Sequence, residues 1–293
     1  MKKTMAPARP AAPCTECLIL LGITLASGII AGCFCTAVEN AQAIGLIIKA
    51  EEFEVQEEIP EGTELDVPMS DDAQPEEWFP ADGAPRHLCT MVSNWLCMWG
   101  FSMILVGVFH ARDAPVGGLD AVQNARVTLW GGLCAGAVGW IIFGFSTGLN
   151  LPPELPGMVA GQLGWRQGCW IFTAAMTTLG LGLLAYGDGD SVTAPRSLAR
   201  RVLGLIALLL PQLVGAPEYE HLAGGADRPP PELAAKFTVA ALMAQGVSWL
   251  FLGVVTAVGY NKYYMMYGDT RNLDATKSQE LRDGAAHDAG SNP

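Results

Sequence analysis

Residues 18–38 read LILLGITLASGIIAGCFCTAV, a stretch with no Asp, Glu, Lys, Arg or His. A helix of roughly 20 apolar residues spans the hydrocarbon core of a bilayer, and this run is long enough to do so. Reading outward from it, five more runs lack ionisable side chains: Leu88–Phe109, Val127–Pro153, Gln167–Gly187, Val202–Pro217 and Phe237–Asn261. The chain is 51% hydrophobic and 16% charged, and its charges gather between these runs. A soluble domain would break such runs with charge every few residues, because each element shows one face to water. The pattern therefore predicts an all-α polytopic membrane protein of about six transmembrane helices. Their spans are placed at about 17–38, 88–109, 127–149, 167–187, 201–216 and 237–260.

Two features bear on that number. Ile30-Ala31-Gly32-Cys33 has the form of a lipoprotein cleavage box. Cleavage there would remove the first helix and leave five spans, whereas in the other reading Gly28, Ala31 and Gly32 are the small residues of a packed transmembrane helix. The fifth charge-free run, Val202–Pro217, is short and is interrupted by Pro211 and Gly215. It reads either as a re-entrant segment or as a kinked helix anchored by Arg200 and Arg201.

Lys and Arg set the orientation of a membrane protein. With the N-terminus inside and six spans, 12 of the 17 Lys and Arg residues fall on the cytoplasmic side, which places both termini there. The outer segments then hold 19 of the 29 acidic residues, most of them in an acidic outer loop over 50–87. Such a loop either is simply solvated or concentrates cations. The polar tail, 261–293, reads as disordered. A net charge of −12 excludes a nucleic-acid partner, since no loop supplies a basic face. Cys33, Cys35, Cys97, Cys134 and Cys169 fall within the apolar runs, so no disulfide framework is expected.

Inside the runs the polar groups include Asn94, Gln167, Thr173, Thr177, Thr178, Gln245 and Ser248, none of them ionisable. Trp78, Trp95, Trp99, Trp165 and Trp170 group toward the outer side as an interfacial belt. Pro152-Pro153-Glu154-Leu155 is echoed by Pro230-Pro231-Glu232-Leu233, each a short way before an inward-running helix. Proline and glutamate suit a first helical turn, which is the structural reading of Glu154 and Glu232. After Pro211 comes Glu218-Tyr219-Glu220-His221, two carboxylates and an imidazole able to hold a metal together. There is no Gly-x-x-x-x-Gly-Lys-Ser/Thr loop and no His or Asp within a span to act as a catalytic base, so neither a nucleotide-driven pump nor an enzyme is expected.

The segment Leu151-Pro152-Pro153-Glu154-Leu155-Pro156-Gly157-Met158, followed by Arg166-Gln167 and Trp170, resembles the hallmark of the probable cobalt transporter subunit family CbtA. Leu210-Pro211 with Gly215-Ala216-Pro217 is similar to that family's Leu-Pro-His-Leu-Ile-Gly-Ala-Pro motif, and Pro231-Glu232-Leu233-Ala234 before Phe237 to the start of its last helix. The resemblance runs from the first helix to about Tyr260 and defines one transmembrane domain, 1–260. It implies cobalt uptake across a bacterial inner membrane, linked to cobalamin biosynthesis, beside a small histidine-rich membrane partner, CbtB. The cargo would be Co²⁺ or Ni²⁺, with no resident cofactor. Its passage would involve Glu154, Met158, Gln212, Glu218, Glu220 and His221. Gln212 stands where the family motif has histidine, and His87 is the histidine of the first outer loop. An amide is a poorer ligand than imidazole for Co²⁺. The alternative is a non-transporting accessory subunit of a larger membrane complex.

Overall fold

In the computed structural model the described residues are 13–51, 80, 83–113, 127–156, 162–185, 195–216 and 229–290. Among them every regular element is helical. In chain order these are α1 (Pro13–Gln42), α2 (Ile44–Glu51), α3 (Ala84–Asp113) and α4 (Leu129–Trp140). A π-helical turn (Ile141–Phe145) then leads into α5 (Ser146–Asn150), followed by α6 (Leu163–Ala185), α7 (Pro195–Val214) and α8 (Pro231–Gly290). Six stretches are long and apolar enough to cross a membrane: Cys17–Gln42, Ala84–Ala111, Leu129–Asn150, Leu163–Ala185, Arg196–Val214 and Pro231–Tyr263. The exposed large side chains, Leu18, Leu96, Leu203 and Leu213 among them, are those a lipid surface takes up.

The fifth span is not short. Its 19 residues rise about 28 Å at 1.5 Å each, close to the thickness of the hydrocarbon core. The charge-free run underestimates it because Arg200 and Arg201 lie inside the helix, where Arg200 Nε donates to the Leu183 carbonyl at 3.1 Å. Pro211 is buried within α7 and close to its end. Gly215 stops the helix in the left-handed conformation (φ +79°), and its N–H returns to the Pro211 carbonyl at 3.0 Å, the usual glycine-terminated helix end. At the C-terminus, α8 continues to Gly290 through the polar stretch whose composition suggests disorder. From Lys262 to Gly290 the chain holds no proline, so nothing in the backbone chemistry forces a stop.

The chain divides into two compact units. The first takes in α1 as far as Cys33, the segment Trp95–Gly136 and α8 from Leu250. Its helices meet at glycines. A methyl added to Gly28 would lie 2.5 Å from the Trp99 Cα, and one on Gly32 2.8 Å from the Trp95 Cα. The two indoles then bond back to α1: Trp99 Nε1 donates to Thr24 Oγ1 at 3.1 Å and Trp95 Nε1 to Cys33 Sγ at 3.2 Å. Trp95 and Trp99 are therefore helix-packing residues rather than part of an interfacial belt. Trp165, 69% exposed in the first turn of α6, has the exposure a belt residue needs. Further on, Gly132 and Gly253 bring α4 and α8 into backbone contact, and Ser102 and Thr256 share a buried hydrogen bond of 3.3 Å. Asn261 accepts from the Val127 N–H at 2.9 Å and donates to its carbonyl at 2.7 Å, satisfying the backbone just before α4.

The second unit takes in Phe34–Asn94 and Ala137–Trp249. Here Gly139, Gly144 and Gly148 face Trp249, Gln245 and Leu242 of α8. At about 100° per residue, the five-residue step from Gly139 to Gly144 would turn roughly 140° around a regular helix. The π-helical turn, which falls in this step, absorbs about one residue and brings Gly144 back to the α8 side. The Phe143 ring stacks on Trp249 (5.7 Å, 6°) and on Trp170 of α6 (6.0 Å, 27°). Gly180 and Gly204 let α6 and α7 cross closely, and Asn150 Nδ2 donates to Thr173 Oγ1 at 3.1 Å. The short α2, which the charge-free runs do not reveal, packs its Ala50, together with Ala43 just before it, against Leu155 and Phe237. Its apolar run is too brief to be read as a span but long enough to cover the start of α8.

Candidate functional site

The charge-free run ends at Val38, but the helix does not. α1 continues to Gln42 and so carries Glu39 within a candidate span. Cys35, Thr36 and Glu39 fall about one turn apart on one face of α1. Asn94 comes from α3, six residues or about 9 Å inside the apolar run that starts at Leu88. Its Nδ2 donates to Glu39 Oε2 at 2.6 Å and to Thr36 Oγ1 at 3.1 Å, while Cys35 Sγ donates to Glu39 Oε1 at 3.5 Å. The carboxylate is thus held by neutral donors on both oxygens.

Glu39 also lines a cavity of about 660 Å³ in the second unit. Its walls combine apolar side chains of α2 and α8, including Ile47 and Phe237, with polar groups: Thr90 and His87 from α3, Gln245 from α8, and Glu51. Glu51 is already neutralised by Arg86, whose Nη2 lies 2.5 Å from its Oε1. A partly open cavity lined by both apolar side chains and polar groups is a common form of a small-ligand site.

Of the sequence-derived candidates, Glu154 and Gln212 are among the described residues, and neither lines this cavity. Glu154 forms an ion pair with Arg166 at 2.6 Å, with side-chain exposures of 14% and 33%. That pairing ties the segment after α5 to the start of α6. Gln212 Nε2 donates to the Ser146 carbonyl at 3.2 Å, linking α7 to the residue that follows the π-helical turn. Met158, Glu218, Glu220 and His221, and most of the acidic outer loop, lie outside the described residues. Among the described residues no three His, Cys, Asp or Glu side chains come together to hold a metal. The sequence signal that could have found Glu39 is its position one residue past a charge-free run, since a helix has no reason to stop at the first charge. The signal for its partner is weaker: Asn94 is a lone amide in an apolar segment, and such groups seek partners across helices.

One consequence for stability is direct. Replacing Arg166 by alanine leaves the mostly buried Glu154 carboxylate without its cation, and the fold is expected to lose about 2 kcal/mol, below the 3–5 kcal/mol of a fully buried pair. Changing Glu154 to glutamine in the same chain should restore much of the loss. Thermal midpoints of the purified variants in detergent measure both.

Residues 18–261 match the family model described as probable cobalt transporter subunit (CbtA). The chain belongs to the CbtA family. The match begins at the first residue of α1's charge-free run and ends at Asn261, the residue paired with Val127, so it takes in all six candidate spans almost completely. Comparisons with curated proteins and with solved structures gave no match. In this CbtA chain the described parts of the segments that resemble the family motifs sit at helix boundaries: 151–156 after α5, 210–216 at the end of α7, and Pro231–Ala234 in the first turn of α8.

Proposed function

We propose that this CbtA chain is a subunit through which a divalent metal ion, cobalt or nickel, enters across a bacterial inner membrane. The observation that carries the reading, beside the family, is the cavity lined by Glu39 in the second unit of a chain with six candidate spans. Both termini lie in the cytoplasm, supported by 12 of 17 Lys and Arg residues falling on that side. The acidic segment 51–82 then faces outward and raises the local cation concentration. Having no nucleotide-binding loop, the chain draws energy from a gradient or a partner, and a small CbtB-like membrane protein fits the latter role.

Uptake of radioactive cobalt and nickel in cells lacking their own importers, with and without this chain, tests the proposal. Uptake above background supports it, and flat uptake with normal membrane insertion refutes it. A second reading, a non-transporting subunit of a larger membrane complex, is favoured by the engagement of Glu154 with Arg166 and of Gln212 with Ser146. Flat uptake together with co-purification in a large assembly would establish that reading instead. The Gln212→His variant is expected to raise uptake several-fold: an imidazole donates one N–H to the Ser146 carbonyl and keeps its second nitrogen as a metal ligand.

A further inference from the structure

Four residues of α2, Ile44, Ile47, Ile48 and Glu51, line the cavity of the second unit. They recur at three- and four-residue steps, so one whole face of this eight-residue helix forms a wall of the volume. A helix face set on a cavity has fewer dispersion contacts than one set on packed side chains. Little else holds α2. Of its residues only Ala50 is buried, against Leu155 and Phe237, with Leu46 and Ile47 packed in part on the same cluster. Gly45 would have nothing within 4 Å of an added methyl, and Ile48 is 55% exposed.

The two ends of α2 differ. At its start, α1 gives way to α2 at Ala43, whose N–H donates to the Glu39 carbonyl at 2.8 Å and whose own carbonyl accepts from Leu46 at 3.0 Å and Ile47 at 3.1 Å. Ala43 is buried, so this junction is anchored. At its end, Glu51 is tied to Arg86 of α3 by an ion pair whose side chains are 29% and 45% exposed. A pair so exposed holds weakly and yields to salt.

We propose that α2 is a hinged cover of this cavity, turning at the Ala43 junction and latched by the pairing of Glu51 with Arg86. Hinges of this kind are residues at the ends of elements that take up the backbone change. A segment with few buried contacts opens at low free energy, well before the fold does. Breaking the latch therefore shifts the population toward an open form and does not unfold the chain. Opening controls what reaches the Glu39 carboxylate on the opposite side of the Ala43 junction. The proposal goes beyond the transport reading and does not rest on it, because it concerns access to the cavity, whatever enters.

The test is the rate at which a bulky, membrane-impermeant maleimide labels position 241 of an Ala241→Cys chain in lipid nanodiscs. Ala241 lines the cavity from α8 and belongs to neither hinge nor latch. The stretch 237–262 contains no native cysteine, so peptide mass spectrometry reads that position alone. In this background Glu51→Gln should raise the rate about two- to fivefold, the population shift that loss of an exposed ion pair brings. Arg86→Gln should do the same, and the double variant should be no faster than either single one, since one latch is broken only once. Raising the salt from about 0.05 M to about 0.5 M should speed labelling of the latched chain and leave Glu51→Gln unchanged. The proposal is overturned if neither single variant alters the rate, if their effects add in full, or if Glu51→Gln keeps the salt response. Should Ala241→Cys fail to elute as a single species on size exclusion, Gln245→Cys, at another position lining the same cavity, takes its place. Labelling that ignores the latch leaves the transport reading untouched, and flat cobalt uptake leaves the cover standing.

Discussion

Gly253→Leu is expected to leave little or no folded protein in a detergent extract of the membranes that make it. The Cβ of any residue at 253 falls against the Gly132 carbonyl, 2.9 Å from the Gly136 nitrogen and 3.0 Å from its Cα. Those atoms are backbone, so they cannot swing aside as the end of a flexible side chain can. Reciprocally, a Cβ at 132 would lie 2.7 Å from the Gly253 carbonyl and 2.8 Å from the Ala257 methyl. Overfilling a packed core ordinarily costs 1–3 kcal/mol, where side chains can still adjust. Here the helices themselves must part, and the loss should exceed about 3 kcal/mol, a large share of the 5–15 kcal/mol that holds a typical fold together. The matched control is Gly22→Leu, a position with nothing within 4 Å. The fraction of each variant eluting as a single species on size exclusion gives the comparison. Normal elution of Gly253→Leu would show that close backbone approach is not what joins α4 to α8.

Trp249→Ala should have the second-largest effect. The indole is 1% exposed, stacks on Phe143 and fills the space above Gly139. Truncating a buried tryptophan removes its contacts and leaves a void, typically at a cost of 3–5 kcal/mol. Gly139→Leu alone should also be damaging, because its Cβ would enter the indole ring. The two together are expected to be less harmful than their sum, since the new leucine occupies part of the vacated volume. A double-mutant cycle on thermal midpoints measures that coupling, which contacting residues show at 0.5–3 kcal/mol. Strict additivity would mean that Gly139 and Trp249 do not share one packing site.

Much of the architecture was legible in the sequence because the bilayer reduces the problem to one dimension. Hydrocarbon admits no unsatisfied backbone, so a charge-free run of the right length must be a helix. The helices long and apolar enough to span lie within a few residues of those runs, except where charges sit inside helices. Arg200 and Arg201 hide the first turns of α7, and Glu39 hides the last turn of α1. The tryptophans show a second limit. Composition cannot distinguish Trp165, exposed on α6, from Trp99, folded over Gly28, because the difference is a rotation of the helix about its axis.

The site was less legible than the fold. Glu154 and Gln212 were found by their motifs, yet each has a structural partner that no spacing rule reveals: Arg166 lies across an intervening segment and the Ser146 carbonyl on another helix. Glu39 and Asn94 are 55 residues apart in the chain and 2.6 Å apart in space. The sequence by itself determined the helical class and the span count, since those depend only on how many apolar residues follow one another between charges. Which faces of the helices meet was decided by the tertiary structure alone. Glycines, a π-helical turn and lone polar side chains set that choice, and each takes its meaning from what lies opposite it.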